Sequence, residues 1–355
     1  MRAAGFSEPG GPEVLRLMEL ATPEAGPGQV RVRVKAAGVQ PFDCAVRAGW
    51  TPPGVTGDLP RVPGNEFAGV IDQVGGAVTG QAAVGGTAGQ EAVAGQVGGA
   101  VGQEAVAGQV GEAAGQGAVV GASSDAMAGP GGVTIGTEVL GFGRLDAYAE
   151  YIVVPADQVV VKPAGMPWEV AGGFSAGAQT AHIALETLGV GKGHTVVIHG
   201  AAGAVGTIAV QLAVDRGATV IGTGRPANHE YLRGLGAIPV AYGEGLLERI
   251  REAAPDGVDA ALDAAGGDAL VVSLALVADR GRILTLVEHG KAAELGIRVT
   301  PPSRSAARLA ELADLHTRGQ LRVHVRATYP LERAADAHRD VETGHGRGKV
   351  VITMD

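Results

Sequence analysis

The chain has 355 residues, 46% of them hydrophobic, and a net charge of −9 from 37 acidic and 28 basic side chains. That length suggests about two domains, and an acidic chain with no basic block is a poor binder of nucleic acid, so small molecules are the expected partners. The single cysteine, Cys44, forbids an intrachain disulfide and a thiolate zinc cluster, and no apolar run of about 18 residues passes uninterrupted, as a membrane span would.

The chain starts apolar but turns polar at Ser7-Glu8-Pro9. That is too short for a secretory signal, so a cytoplasmic setting is expected. Leu15–Leu20 reads as a strand, and Val30-Arg31-Val32-Arg33-Val34-Lys35 alternates as a half-exposed strand does. Phe67–Val74 is a third strand. Residues 75–132 are rich in Gly, Ala, Val and Gln, and contain GQEAVAGQVG twice, at Gly89–Gly98 and Gly102–Gly111. A segment with so few large side chains buries little apolar area against its ordering entropy, and reads as a tolerated surface expansion. Two repeats are too few for a solenoid. Glu138–Leu140 and Tyr148–Val154 resume the strands.

After about Ala164 the pattern changes to strands alternating with helices, which predicts a parallel sheet. The strands are Val196–His199, Thr219–Gly222, Val240–Tyr242, Ala260–Asp263 and Arg282–Leu286. The helices between them are Thr207–Arg216, Asn228–Leu235, Gly245–Ala254 and Ala269–Ala278. The tail gives strands at Leu321–Ala327 and Lys349–Thr353 around a helix at Leu331–Val341.

The strongest chemistry lies where the strand Val196–His199 meets Gly200, Ala201, Ala202, Gly203, Ala204, Val205 and Gly206 before a helix. Small residues let a diphosphate approach the backbone N–H groups of a helix start, and the helix dipole favours its charge. Gly206 lets the helix pack close to the strand. The turn is Gly200-x-x-Gly203-x-x-Gly206 rather than GxGxxG, so its weight comes from the strand–turn–helix context. The next strand ends Thr223-Gly224-Arg225, with no acid to hold ribose hydroxyls as an NAD site needs. Thr223 and Arg225 suit a 2′-phosphate, so NADPH is the expected cofactor.

With those residues, the chain resembles the medium-chain dehydrogenase/reductase superfamily, in its zinc-free quinone oxidoreductase (zeta-crystallin-like) branch. The resemblance runs through Gly10–Leu15, Val34–Asp43, Val62–Gly69, Tyr148–Tyr151, the glycine turn and Gly348–Val351. It implies an α/β chain with a GroES-like β domain (1–163, interrupted by the 75–132 insertion), a Rossmann doubly wound domain (164–298), and a C-terminal segment (299–355) returning to the first. Zinc-dependent members place Cys, His and Cys where Gln40, Asn65 and Gly172 stand here, a poor donor set, so no metal is expected.

The resemblance implies catalytic roles for Gln40, Asn65 and Thr180. Gln40 would contact the nicotinamide ribose or the acceptor carbonyl, and Thr180 would lie near the nicotinamide. Glu66 would support the cleft. Asp43 and Arg47, at D-x-x-x-R spacing, are expected to pair structurally, and His199 reads as a strand-end core residue. Lys349 is placed as a cofactor contact from the returning segment, with a solvent-facing lysine as the plain alternative. Ala45 stands where thioester-reducing relatives have a tyrosine. The implied activity is hydride transfer from NADPH to a quinone or α,β-unsaturated carbonyl, by a homodimer joined through a Rossmann edge strand near Arg282–Val287. Alternatives are a polyketide-type tailoring reductase on the same scaffold and a non-catalytic NADPH-binding or scaffolding protein.

Overall fold

The alternation in Val30–Val34 does what it predicts: the three valines are buried and the arginines between them are not. In the computed structural model, which describes residues 1–52, 54–55, 59–76 and 133–355, this strand is part of a long β3 (Gln29–Val39). The repeat segment 77–132 lies outside the described residues. Before β3 come β1 (Arg2–Gly5) and β2 (Arg16–Glu19), an antiparallel pair. After it come α1 (Pro41–Arg47), β4 (Glu66–Val74), β5 (Glu138–Phe142), β6 (Tyr151–Pro155) and β7 (Val159–Val161).

β3 organises the first sheet because its two halves pair differently. One edge carries β4 along most of its length. The other carries β6 against Gln29–Arg33 and, further along, β14 (Lys349–Thr353) against Ala36–Val39. Among the described residues the sheet has seven strands and ends on β13 (Val325–Pro330), parallel to β14. The C-terminal residues thus return to the first sheet, and β14 begins beside the end of β3 and Gln40.

The second sheet has five parallel strands in the order β10 (Ile238–Ala241), β9 (Thr219–Gly224), β8 (Thr195–His199), β11 (Ala260–Asp263), β12 (Ile283–Thr285). Strand order reverses at β8, and ligands of such sheets bind outside the carboxyl ends at that point. The helices are α2 (Trp168–Gly172), α3 (Ser175–Thr187), α4 (Ala204–Asp215), α5 (His229–Gly234), α6 (Leu246–Ala253), α7 (Asp268–Leu276), α8 (Ala292–Leu295), α9 (Ala306–Thr317) and α10 (Ala334–Glu342). No helix among the described residues is long and apolar enough to cross a membrane.

The elements read from periodicity are present, with ends shifted by a few residues. The tail strand expected at Leu321–Ala327 runs instead over Val325–Pro330. Helices α3 and α9 fall outside the elements read from periodicity. Helix α3 is buried on nearly every face, packed against α4, so it shows no polar stripe. One core joins Leu140 and Phe142 of the first sheet to Phe174, Leu185 and Ile208 around the second.

Helix α10 seals the first sheet's core and carries a strained charge balance. His338 is fully buried beside Tyr148, with Nδ1 3.5 Å from Arg47 Nη1. Burial and the Arg47 charge push its pKa down from 6.5 to about 3. A histidine with a lowered folded pKa binds fewer protons folded than unfolded. Its stability contribution is complete above pH 6.5 and falls with pH toward about 3. The loss is roughly 3 kcal/mol by pH 4. His338→Gln should therefore narrow the fall in urea midpoint between pH 7 and pH 4. An unchanged pH dependence in the variant would contradict this.

Candidate active site

The phosphate turn is built by strand β8, buried throughout from Val196 to His199. Gly200 takes a left-handed φ of 68°, and a Cβ there would sit 3.0 Å from Ala264 O. Ala201 N donates to Thr223 O (3.1 Å) and Gly203 N to Gly200 O (2.9 Å), which closes the turn. Helix α4 then starts with Gly203 at its N-cap and no side chain capping it. The first N–H groups of the helix are therefore left for a ligand. Gly203, Ala204 and Val205 are partly exposed, while Ala201, Ala202 and Gly206 are buried. A Cβ on Gly206 would lie 2.3 Å from Gly200 O, whereas one on Gly203 meets only Gly200 O at 3.2 Å. Gly206 shapes the turn, and Gly203–Val205 face outward from it.

Beside the turn, Thr223 and Arg225 part ways. Thr223 is 2% exposed, and its hydroxyl lies 3.2 Å from His199 Nδ1 inside the sheet. His199 is also fully buried, and desolvation lowers its pKa to about 4. Thr223 thus places its hydroxyl against His199 within the sheet. Arg225 stays partly exposed, its Nε donating to Tyr242 Oη at 2.8 Å. A second guanidinium, which sequence reasoning passed over, joins it from the returning segment. Arg347 donates to Asn228 Oδ1 (3.1 and 3.0 Å) and lies 4.5 Å from the Tyr231 ring centre. The two arginines flank the Pro226–Asn228 turn after β9.

The floor of the expected cleft brings together Gln40, Asn65, Glu66 and Lys349. Gln40 Nε2 is 2.6 Å from Asn65 Oδ1 and 3.3 Å from Glu66 Oε1. Glu66 Oε1 is 2.5 Å from Lys349 Nζ, with both side chains almost fully buried. Glu66 Oε2 accepts from Ala176 N (2.6 Å) at the start of α3. Lys349 therefore sits in a buried ion pair, neither in solvent nor at the phosphate turn. Its neighbour Gly348 makes the link to the turn, with Gly348 N donating to Ala202 O at 2.8 Å. Arg304, also passed over in the sequence, brings Nη1 to 3.5 Å from Asn65 O. Thr180 lies partly buried on α3, the helix packed on α4, and forms none of the floor's bonds.

Asp43 and Arg47 do not pair. Asp43 accepts from Gln40 N (2.9 Å), Gly64 N (3.1 Å) and Tyr148 Oη (3.1 Å), bracing the two loops that carry Gln40 and Asn65. Burial pushes its carboxyl up to about 7. Arg47 turns instead to Gly10 O (3.0 Å) and Glu342 (2.5 Å). Cys44 is buried, and desolvation raises its thiol to about 12.

The donor set does not fit zinc. Gln40 and Asn65 are neutral amides, and the Asn65 oxygen is already taken by the Gln40 amide, while a side chain at Gly172 would collide with Ala36 at 2.5 Å. Among the described residues no three His, Cys, Asp or Glu side chains gather as a metal site.

A β domain of this topology joined to a five-stranded parallel sheet with a phosphate turn defines a two-domain dinucleotide-binding protein. A model of the alcohol dehydrogenase GroES-like domain matches residues 26–164, and a zinc-binding dehydrogenase model matches residues 235–352. The chain is 28% identical over 364 residues to the chloroplastic NADPH-dependent alkenal/one oxidoreductase of Arabidopsis thaliana, covering 99% of this chain and 79% of that one. It is 31% identical over 358 residues to a spectinabilin polyketide synthase system protein of Streptomyces orinoci, covering 95% of this chain but 14% of that protein. The solved quinone oxidoreductase of Coxiella burnetii matches with a TM-score of 0.77 at 26% identity, covering 100% of this chain and 99% of that one. The chain belongs to the medium-chain dehydrogenase/reductase superfamily, in its zinc-independent quinone oxidoreductase-like branch.

The last two glycines of the turn give separable outcomes. Gly206→Ala should cost about 1–3 kcal/mol of stability, because backbone lies where its Cβ must go. Gly203→Ala should unfold with the wild type, its backbone being extended and its Cβ nearly clear. Thermal melts of both variants check this, and equal losses would contradict it.

Proposed function

We propose that the protein transfers hydride from NADPH to a quinone or an α,β-unsaturated carbonyl without a metal. The single observation that carries the reading is the amide pair Gln40–Asn65, standing at the metal-ligand positions beside an uncapped phosphate turn. A bound NADPH would supply the hydride. Gly203, Ala204 and Val205 would hold its diphosphate, and Arg225 with Arg347 its 2′-phosphate. An acceptor that is already electrophilic needs positioning and hydrogen bonding more than a Lewis acid.

The 31% identity to a polyketide synthase system protein favours a second reading, in which the acceptor is an enoyl intermediate of natural-product assembly. Ala45 weakens that reading for thioesters, since it offers no phenolic proton donor.

NADPH oxidation should be measured on quinones, alkenals, enones and enoyl thioesters. Turnover of the first three with little on thioesters is expected. Tight NADPH binding without turnover on any of them would sink the reading in favour of a cofactor-binding scaffold. Arg347→Ala and Arg225→Ala should each raise the Michaelis constant for NADPH about tenfold or more and leave that for NADH nearly unchanged.

The reading includes a homodimer. The outer edge of β12 is already occupied by Arg298, whose N donates to Ile283 O (2.8 Å) and whose O accepts from Thr285 N (3.0 Å). We place the interface on the segment after Arg298, where Val299 is 40% exposed. Val299→Asp should shift the protein toward monomer in light scattering behind size exclusion. An undisturbed dimer would place the interface elsewhere.

A further inference from the structure

We infer that the Lys349–Glu66 ion pair sets the orientation of two amides in series, Gln40 then Asn65, so that Asn65 Nδ2 is the hydrogen-bond donor to the acceptor's carbonyl oxygen. The inference rests on the proposed reductase activity and names a residue and a direction within it.

Amide orientation follows from the network around it. Glu66 is the fixed end. Its oxygens face an ammonium and a backbone N–H, Lys349 Nζ at 2.5 Å and Ala176 N at 2.6 Å, so the carboxylate acts only as an acceptor. The Gln40 atom 3.3 Å from Glu66 Oε1 must then be the nitrogen, since a carbonyl oxygen there would face a carboxylate oxygen. The same nitrogen is 2.6 Å from Asn65, so the Asn65 atom it meets must be the oxygen. Asn65 Nδ2 is left at the far end. It has no partner among the described residues, and His199 Nε2 and His338 Nε2 are the only buried side-chain polar atoms there without one. The 3% of Asn65 that remains exposed therefore includes its amide nitrogen. Arg304, 3.5 Å from Asn65 O, adds a positive field at the same floor.

An N–H held this way is worth most when the acceptor's oxygen becomes negative. The enone's β-carbon takes the hydride supplied by NADPH and forms its new C–H bond. The C=C pair moves into the C–C bond beside the carbonyl, and the carbonyl pair moves onto oxygen, leaving NADP⁺. The resulting enolate bonds to Asn65 Nδ2–H and then takes a proton from water. Asn65 touches the reacting oxygen, whereas Gln40, Glu66 and Lys349 act through it as positioning residues.

Asn65→Asp keeps the size and still accepts from Gln40, but removes the donor and adds a charge that repels an oxyanion. In turnover assays its kcat should fall about 100-fold or more at neutral pH, with NADPH affinity, read by fluorescence, unchanged. Activity should return as pH falls and the new carboxyl protonates, which a merely structural role would not produce. Glu66→Gln should lower kcat about tenfold, because one neutral oxygen must then serve Lys349, Ala176 N and Gln40, and the orientation of Gln40 is no longer fixed. A second readout needs no turnover. 4-Nitrophenol, titrated by its absorbance against the NADP⁺-loaded protein, mimics the oxyanion. The wild type should bind the phenolate at least about tenfold more tightly than Asn65→Asp, and Asn65→Ala gives the same comparison should the aspartate fail to fold. Equal phenolate binding by wild type and the Asn65 variants would overturn the inference even if the wild type reduces enones. Wild-type selectivity for phenolate without turnover on any acceptor would uphold the donor and overturn the proposed reaction.

Discussion

The buried contact between Glu66 and Lys349 is the constraint around which the cleft is arranged. Removing two charges from water costs several kcal/mol each, and their attraction recovers this only with good geometry and further hydrogen bonds. Glu66 has both, because the first turn of α3 and the Gln40 amide satisfy its remaining lone pairs. The carboxylate at the start of α3 also meets the positive end of that helix dipole. The backbone was cleared for this pair. A Cβ on Gly38 would fall within 2.0 Å of Glu66 Oε1, and one on Gly173 within 2.8 Å of Lys349 Cγ. Buried ion pairs are weak devices for stability, but this one holds four chain segments in one register.

A second polar row runs across the carboxyl ends of the parallel sheet. Thr223, His199, Asp263 and Thr285 occupy adjacent strands and are all buried. Asp263 accepts from Ala265 N (3.0 Å), Gly266 N (2.7 Å) and Thr285 Oγ1 (2.8 Å), which fixes the loop after β11. The row explains why Thr223 turns inward: its hydroxyl is the partner of a buried, neutral imidazole. In the proposed reading, contact with the 2′-phosphate then falls to longer side chains. Arginine serves better than threonine there, since its fork reaches past the strand end and binds bidentately.

What was legible in the sequence depended on how local the physics was. The alternation of Val30–Val34 and the passage from β8 through the glycine turn to α4 are local patterns, and both are found where they were read. Helix α3 was not legible, because a helix buried on nearly every face shows neither a clear stripe nor a cap. Gln40 and Asn65 were legible as site residues only through the family's metal positions, and their mutual bond was not. The carboxylate partner of Lys349 was not legible for the same reason: whether a lysine after Gly346-Arg347-Gly348 meets solvent, cofactor or a carboxylate depends on a strand far away in the chain. Gly38 and Gly173 record that contact, but two glycines among 59 carry no visible signal. Arg304 and Arg347 sit in loops, where neither periodicity nor capping marks a residue.

Adjacent residues of the returning segment serve the two halves of the cleft. Gly348 bonds to Ala202 in the phosphate turn, while Lys349 neutralises Glu66 under the amide pair. Gly348 has a left-handed φ of 69°, and a Cβ there would lie 2.0 Å from His324 O, so the chain passes between these anchors with no side chain to spare. Arg347, one residue earlier, reaches Asn228 beside the end of β9. Three consecutive residues thus tie together the Asn228 turn, the glycine turn and the Glu66 carboxylate under the amide pair. A shift of this segment by even one residue would move the arginine, the turn contact and the lysine together. The spacing between cofactor and acceptor is therefore fixed mainly by where β14 enters the first sheet, a long-range pairing with β3 that neither the glycine motif nor the cleft residues specify.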